Sequence, residues 1–260
     1  MHLIFLKIFL GLIAFVILCF SPLLAAAEKR IALVIGNSNY SSSPLKNPVN
    51  DATDMAIILK KLGFDVILKK NMTHRPMEEA IRDFGNRLKS QKGVGLFFYA
   101  GHGLQANNMN YLIPISANIE KETDVQFEAV NVERVLAEMA NADNGLNIVI
   151  LDACRDNPFR GLFRSSNRGL AVVSNAPTGT FISYSTAANQ VARDGSGRNS
   201  PYTAALLKHI GEPGLSINDV FMKVRQNVRK STGQTPWELS SLEGRFYFNQ
   251  GQTVKQEFRG

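Results

Sequence analysis

Two side chains capable of covalent chemistry follow apolar segments of this 260-residue sequence: His102 after LFFYAG, and Cys154, 52 residues later, after IVILDA. A thiol with the ordinary pKa of about 8.5 is only slightly ionised at neutral pH, so a nucleophilic cysteine needs a base or a cation beside it. The imidazole of His102 can be that base. Each residue alone also has a simpler explanation, because a turn histidine can bind backbone groups and a lone cysteine is usually a small buried side chain.

Glycine residues flank the histidine at positions 101 and 103. Because glycine has no side chain, it lets a substrate backbone come close to the reacting groups. The amide of Gly103 can point at a developing oxyanion, with the amide of Cys154 as the second donor. The pattern therefore predicts a site at which Cys154 attacks a carbonyl group with His102 as its partner.

From Arg30 onward, apolar strand-like segments alternate with segments of helical periodicity. This alternation predicts an α/β fold in which a mainly parallel sheet of about six strands is flanked by helices on both faces. Catalytic groups in such sheets lie at the carboxyl ends of the strands, so His102 and Cys154 are expected at one edge. The predicted strands are RIALVIG, FDVILKK, VGLFFYAG, LNIVILDA, TFISYS and RFYFN.

The first 27 residues have the three-part pattern of a secretory signal peptide, with Lys7, an apolar segment from Ile8 to Phe20, and small residues before position 28. We expect cleavage after Ala27 and export to the periplasm or out of the cell, with a soluble mature form. The alternative is an uncleaved membrane anchor, although the apolar segment is shorter than the roughly 20 residues that span a bilayer. Cleavage would remove Cys19 and leave Cys154 as a single thiol, which cannot form an intramolecular disulfide.

The formal net charge is +7, but the lysines and arginines are scattered and do not alternate with aromatic residues. This distribution is typical of a solvated surface, and we predict no nucleic-acid binding. The sequence contains no glycine-rich phosphate loop and no cysteine–histidine cluster with the spacing of a zinc site. We therefore expect neither a cofactor nor a metal.

The segments around these residues resemble the caspase and metacaspase cysteine peptidases, and in particular their bacterial orthocaspase branch. The resemblance implies a caspase-like three-layer sandwich. It also implies a Cys154–His102 dyad that cuts peptide or protein substrates through an acyl-enzyme. The motifs that carry the resemblance are RIALVIGNSNY, LKNPVNDATDMAIILKKLGFDV, FFYAGHG, NYLIP, ILDACRDNP and FISYSTAANQ.

The resemblance also indicates which substrate residue precedes the cut bond. Metacaspases, which cleave after arginine or lysine, carry acids in their Asp-x-Cys and Asn-Asp-Ala motifs, and these acids correspond to Asp152 and Asp51. Ser183 and Ser185 lie on the strand that would line the same pocket, and a gapless alignment of FISYSTAANQVARDG adds Asp194. A shift of one residue would put an arginine there instead. Asp152 could otherwise be bound by loop amides, and Asp51 could be a first-turn acid that favours the helix dipole.

The same resemblance divides the mature chain, residues 28–260, into a large-subunit-like part over about 28–160 and a small-subunit-like part over about 180–250. The linker between them, about 155–179, is rich in Gly, Ser, Asn and Arg. In caspases the corresponding segment is cut during maturation. Arg164 and Arg168 are therefore the expected sites of autocleavage.

Some metacaspases require calcium, which they bind through a cluster of acids. The corresponding segment here, QANNMNYLIPISANIEKETD, has no such cluster, so we expect no calcium requirement. Two other functions remain open: a caspase-fold scaffold or adaptor with little proteolytic activity, and a thiol hydrolase or acyltransferase of non-peptide substrates. The intact Cys–His pair and the two pocket acids favour the peptidase. The oligomeric state is not predictable from the sequence.

Overall fold

A computed structural model describes residues 28–153, 170–171, 173, 176–187 and 195–251. Within these ranges the chain forms nine strands: β1 (Arg30–Gly36), β2 (Asp65–Lys70), β3 (Gly93–Ala100), β4 (Gly103–Ala106), β5 (Met109–Leu112), β6 (Val130–Asn131), β7 (Gly145–Asp152), β8 (Thr180–Tyr184) and β9 (Trp237–Ser240). Six of them build the central sheet in the order β2-β1-β3-β7-β8-β9. All neighbours in this sheet are parallel except β8 and β9, which are antiparallel.

Helices cover both faces of this sheet. The described residues form α1 (Pro48–Lys61), α2 (His74–Gln91), α3 (Val125–Glu128), α4 (Val132–Ala142), α5 (Pro201–His209) and α6 (Ile217–Thr232). Helices α2 and α4 pack on one face, and α1, α5 and α6 pack on the other. The predicted three-layer α/β sandwich with a mainly parallel sheet of about six strands is confirmed.

The period of two along the strands divides the core into two apolar clusters. In β1, Leu33 joins the cluster under α2 and α4, whereas the next residue, Val34, joins the cluster under α1, α5 and α6. Both side chains are fully buried. Because both faces of the inner strands are covered, these strands have continuous apolar sequences.

Gly36 ends β1 at the point where α1 begins. A Cβ atom at this position would lie 2.3 Å from the carbonyl oxygen of Pro48, in the first turn of α1. Only glycine permits this close approach of helix and strand. The contact brings the first turns of α1, including Asp51, to the carboxyl edge of the sheet.

A second, smaller sheet follows β3 and has the order β4-β5-β6, with antiparallel pairing throughout. It has its own apolar cluster, which includes Leu104, Tyr111 and Val125. The turn into this sheet contains His102, so the small sheet and β3 together hold the histidine.

The predicted last strand, RFYFN, is wrong. Tyr247 of this segment makes an isolated bridge to Ser216, and the last strand of the sheet is β9. The alternation in RFYFN has another cause: Phe246 and Phe248 both turn into the core under α5 and α6, where their rings meet edge to face at 5.0 Å.

None of the helices in the described part of the chain is both long enough and apolar enough to cross a membrane.

Candidate active site

The carboxyl ends of β3 and β7 lie side by side and carry the predicted catalytic segments. Ala100 and Asp152 are register partners on these neighbouring parallel strands. The amide of Gly101 donates to the carbonyl oxygen of Asp152 at 3.4 Å. His102 and Cys154 each come two residues after this pair in the sequence. Cys154 lies outside the described residues.

His102 is buried, with 3% of its surface exposed. Its Nε2 atom lies 2.8 Å from the backbone carbonyl oxygen of Ser43. A carbonyl oxygen can only accept a hydrogen bond, so Nε2 carries the proton in this contact. In the neutral imidazole, Nδ1 is then the basic nitrogen. The contact with Ser43 therefore fixes which nitrogen of His102 can take up a proton.

Two tyrosines hold the backbone on which His102 lies. The amide of His102 donates to the hydroxyl of Tyr40 at 3.0 Å, and the ring of Tyr40 lies 4.4 Å from the imidazole. The hydroxyl of Tyr99 donates to the carbonyl oxygen of His102 at 2.8 Å and lies 3.2 Å from the hydroxyl of Tyr40. Because these groups are buried, breaking one contact would leave a polar atom unsatisfied. The free-energy cost of such a loss keeps the turn rigid.

The two glycines beside His102 have different structural roles. A Cβ atom at Gly101 would lie 2.6 Å from both the Tyr40 and Tyr99 hydroxyls, so a side chain there would displace the tyrosines. Gly103 pairs with Leu112 of β5, and the amide of Ile113 donates to the carbonyl oxygen of His102 at 3.0 Å. This bond lies beside the Gly103–Leu112 pair, which is therefore a non-hydrogen-bonded pair of the antiparallel ladder. The amide of Gly103 accordingly points away from β5.

The two predicted pocket acids, Asp51 and Asp152, converge on the residue that precedes α5, Ser200. The amide of Ser200 donates to Oδ1 of Asp51 at 3.0 Å, and its hydroxyl donates to Oδ2 of Asp152. Thr203 donates its hydroxyl to the same Oδ2 at 2.7 Å. Asp51 is fully buried and Asp152 is 1% exposed. The structure therefore brings both acids to the N-terminus of α5.

The serines of β8 and the loop after it are buried beside these acids. The hydroxyl of Ser183 lies 2.6 Å from that of Tyr202, and Ser185 donates its hydroxyl to the carbonyl oxygen of Ala153 at 3.1 Å. Burial raises the pKa of Tyr202 well above its usual range, an effect opposed by the Ser183 contact and strengthened by the charge of Asp152. Tyr202 is therefore a neutral phenol in this site.

Three other predicted positions, Asp194, Arg164 and Arg168, lie outside the described residues, as does Cys154. Within the described ranges, no group of three or more His, Cys, Asp or Glu side chains could hold a metal ion.

The family model for the caspase domain matches residues 29–247 of this chain. The chain belongs to the caspase domain family. The six-stranded sheet and the two apolar clusters described above form this caspase domain.

Individual relatives of this caspase domain include human mucosa-associated lymphoid tissue lymphoma translocation protein 1, which is 34% identical over 131 residues. That alignment covers 50% of this chain and 15% of the human protein. Mouse caspase-12 is 24% identical over 144 residues, which is 55% of this chain and 33% of the mouse protein. These alignments thus span a third or less of the length of the two relatives.

Among solved structures, caspase-1 from Spodoptera frugiperda matches with a TM-score of 0.62. The match covers 85% of this chain and 91% of the insect chain at 15% sequence identity. This likeness establishes the caspase fold.

Several groups of the site have no sequence signal of their own. Ser43 contributes a backbone carbonyl oxygen, which any residue type could supply. Ser200 is recognisable as a helix N-cap because Pro201 follows it, but its contact with Asp152 joins residues 48 positions apart. A sequence pattern predicts the cap, whereas the long-range contact depends on the packing of α5 against the sheet.

Proposed function

We propose that this caspase domain is a cysteine endopeptidase that hydrolyses peptide bonds after arginine or lysine. The observation that carries the proposal is the convergence of Asp51 and Asp152 on Ser200, at the edge of the sheet that carries His102. The proposed nucleophile is Cys154, which follows directly after Ala153 at the end of β7.

The proton transfer in the proposed reaction depends on the orientation of His102. Since Nε2 is bound to the carbonyl oxygen of Ser43, Nδ1 is the nitrogen that accepts the proton of the Cys154 thiol. The resulting thiolate attacks the scissile carbonyl carbon, and the carbonyl oxygen becomes an oxyanion. The amides of Gly103 and Cys154 are the proposed donors to it, and the direction of the Gly103 amide, away from β5, supports this role.

The tetrahedral intermediate then collapses, and the carbon–nitrogen bond breaks. The His102 imidazolium donates its proton to the leaving amine, which leaves a thioester on Cys154. Water attacks the thioester while His102 again accepts a proton. The second tetrahedral intermediate collapses with cleavage of the carbon–sulfur bond, and the His102 imidazolium returns its proton to the thiolate. The carboxylic acid product leaves and loses its proton to solvent, which restores the starting enzyme.

The specificity follows from the charge of the two buried acids. Two carboxylates that contact the same residue repel each other, and a cation between them relieves this repulsion. The guanidinium of arginine and the ammonium of lysine supply such a charge. Ser183 and Ser185, buried beside the acids, are proposed to line the same pocket, and Asp194 is proposed as a further acid.

The test is hydrolysis of matched fluorogenic peptides that differ in the residue before the cut: arginine, lysine, alanine and aspartate. We expect turnover of the arginine and lysine peptides and none by Cys154→Ala. Turnover of the aspartate peptide instead would contradict the proposed specificity. Absence of hydrolysis of every peptide in a folded wild-type protein would contradict the peptidase and favour a scaffold.

Export is part of the proposal. Mass spectrometry of the mature protein from its native cell should give a chain that begins at or near Glu28. An intact Met1 in a membrane fraction would contradict cleavage and favour the membrane anchor.

A further inference from the structure

Ser200 contacts both acids and also begins helix α5. Its hydroxyl oxygen accepts the amide of Thr203 at 3.0 Å, which is the N-cap hydrogen bond of the helix. The same hydroxyl donates its proton to Oδ2 of Asp152, and the backbone amide donates to Asp51. With 1% of its surface exposed, Ser200 is sealed between the acids and the helix.

Oδ2 of Asp152 accepts two hydroxyl groups, from Ser200 and from Thr203. Thr203 is fully buried and lies in the first turn of α5. A carboxylate oxygen can accept two hydrogen bonds at once. The N-terminus of the nine-residue helix α5 adds partial positive charge on the same side. The two hydroxyls therefore hold the Asp152 carboxylate in one orientation.

The segment before α5 is tied to helix α1, which carries Asp51. Arg198 binds the carboxylate of Asp54 through Nε at 2.9 Å and Nη2 at 3.0 Å. Asn199 donates to Asp54 at 3.0 Å, and Asn50 donates to the carbonyl oxygen of Arg198 at 3.2 Å. These contacts fix the position of Ser200 relative to α1. Because Ser200 binds both acids, the segment of residues 198–200 sets the distance between Asp51 and Asp152.

We propose that Ser200 and Thr203 are positioning residues for substrate specificity: they hold the Asp152 carboxylate in the orientation that receives the cationic side chain of the substrate. This inference rests on the proposed function. A guanidinium binds a carboxylate through two parallel hydrogen bonds, which require a fixed carboxylate plane, whereas an ammonium acts as a point charge. The two hydroxyls therefore favour arginine over lysine.

The test compares four variants in the full chain. Ser200→Ala and Thr203→Val each remove one hydroxyl from Asp152. Thr203→Ser keeps the hydroxyl and removes a methyl group. Ser216→Ala removes the N-cap of α6, whose hydroxyl bonds the amide of Asp219 at 3.3 Å, and so controls for the loss of a cap.

We expect kcat/KM for the arginine peptide to fall about tenfold or more in Ser200→Ala and Thr203→Val, as for loss of a hydrogen bond to a charged group. The ratio of arginine to lysine cleavage should fall in the same two variants. Thr203→Ser and Ser216→Ala should keep the wild-type ratio. A purely structural role would change the yield of folded enzyme and leave the ratio of arginine to lysine cleavage unchanged.

If the wild type cleaves after arginine and both hydroxyl variants keep its ratio of arginine to lysine cleavage, the inference is overturned while the proposed function stands. If the folded wild type cleaves after neither arginine nor lysine, the proposed function is overturned and the inference with it. Should Ser200→Ala fail to fold, the near-isosteric Thr203→Val, compared with Thr203→Ser, decides the matter.

Discussion

Ala100 and Asp152 are register partners at the last position of β3 and β7. One strand continues into the turn that holds His102, and the other continues to Cys154. Equal lengths of chain therefore lead from this fixed pair to the two proposed catalytic residues. The strand pairing thus determines where both segments begin. The Ser43 carbonyl and the two tyrosines then determine the orientation of His102.

His102→Ala should lower kcat by about 10²- to 10⁴-fold, because the substitution removes the proposed base. The matched control is His209→Ala. His209 is also buried, at the end of α5, where its ring nitrogens contact Glu212 and Asn227 away from the strand ends. Steady-state kinetics on the arginine peptide and circular dichroism of both variants measure the effect. Similar activity in the two histidine variants would exclude His102 as the base.

Asp152→Asn and Asp51→Asn should each reduce kcat/KM for arginine and lysine peptides by about 30- to several-thousand-fold. The reason is that loss of one partner of a desolvated charge pair costs roughly 2–5 kcal/mol. Glu138→Gln is the control, since Glu138 is a mostly buried acid that pairs with Arg134 on α4. An unchanged preference in the two aspartate variants would place the specificity pocket elsewhere.

Much of the sheet is predictable from the sequence, because strands buried on both faces have continuous apolar segments. Strand β9, with the sequence WELS, lacks this signal, since its burial is intermediate or low and its position comes from antiparallel pairing with β8. RFYFN has a strand-like alternation although it is not a strand of the sheet. The alternation in the sequence indicates that Phe246 and Phe248 are buried. It cannot distinguish burial under helices from pairing in a sheet.

The candidate site, like the sheet, is only partly predictable from the sequence. The short motifs of the family resemblance predict Asp51 and Asp152 as pocket acids, and the structure brings both to Ser200. The contacts that hold His102 come from Ser43 and Tyr40, about sixty residues earlier in the chain. Such contacts depend on how the loops pack around the strand ends, and local sequence carries no record of them.

Tyr40→Phe should lower both kcat and the free energy of unfolding. The variant keeps the ring beside the imidazole but removes the acceptor of the His102 amide, and an unsatisfied buried amide costs about 1–3 kcal/mol. Tyr111→Phe is the control, because the Tyr111 hydroxyl contacts the sulfur of Met109 at 3.9 Å. Chemical denaturation and kcat of both variants measure the difference. A Tyr40→Phe enzyme with wild-type kcat would show that this contact does not orient His102.

The ion pair between Asp54 and Arg198 predicts a dependence of stability on pH. Hydrogen bonds from Arg198 lower the pKa of Asp54 below its ordinary value of 3.8, against the opposing effect of burial and with a further contribution from Asn199. A lowered pKa stabilises the folded state above the ordinary value, and this stabilisation is lost as the pH falls through the lowered pKa.

Wild type should therefore exceed Asp54→Asn in melting temperature at pH 7 and at pH 5, and the difference should shrink when the pH falls below 3.8. High salt should reduce the difference, because Arg198 is exposed. Asp65→Asn, which removes the exposed pair of Asp65 with Arg87, controls for a general effect of charge. A difference that persists unchanged to low pH would mean that Asp54 acts through its shape and not through its charge.

The last prediction concerns the segment after Cys154, where Arg164 and Arg168 precede β8 in the sequence. An enzyme that cleaves after arginine should cut its own chain there if the segment is accessible. Purified wild type should therefore give two fragments divided between positions 160 and 168, whereas Cys154→Ala stays whole under the same conditions.

Because many peptidases nick exposed segments, the inactive variant decides whether the cut is autocatalytic. Cys154→Ala mixed with active enzyme should be cut only if cleavage occurs between molecules, and the dependence of the rate on concentration separates the two routes. Arg164→Gln combined with Arg168→Gln should block the cut and leave the folded domain unchanged in its melting temperature. If wild type hydrolyses the arginine peptide and remains whole, the enzyme works as an uncut chain.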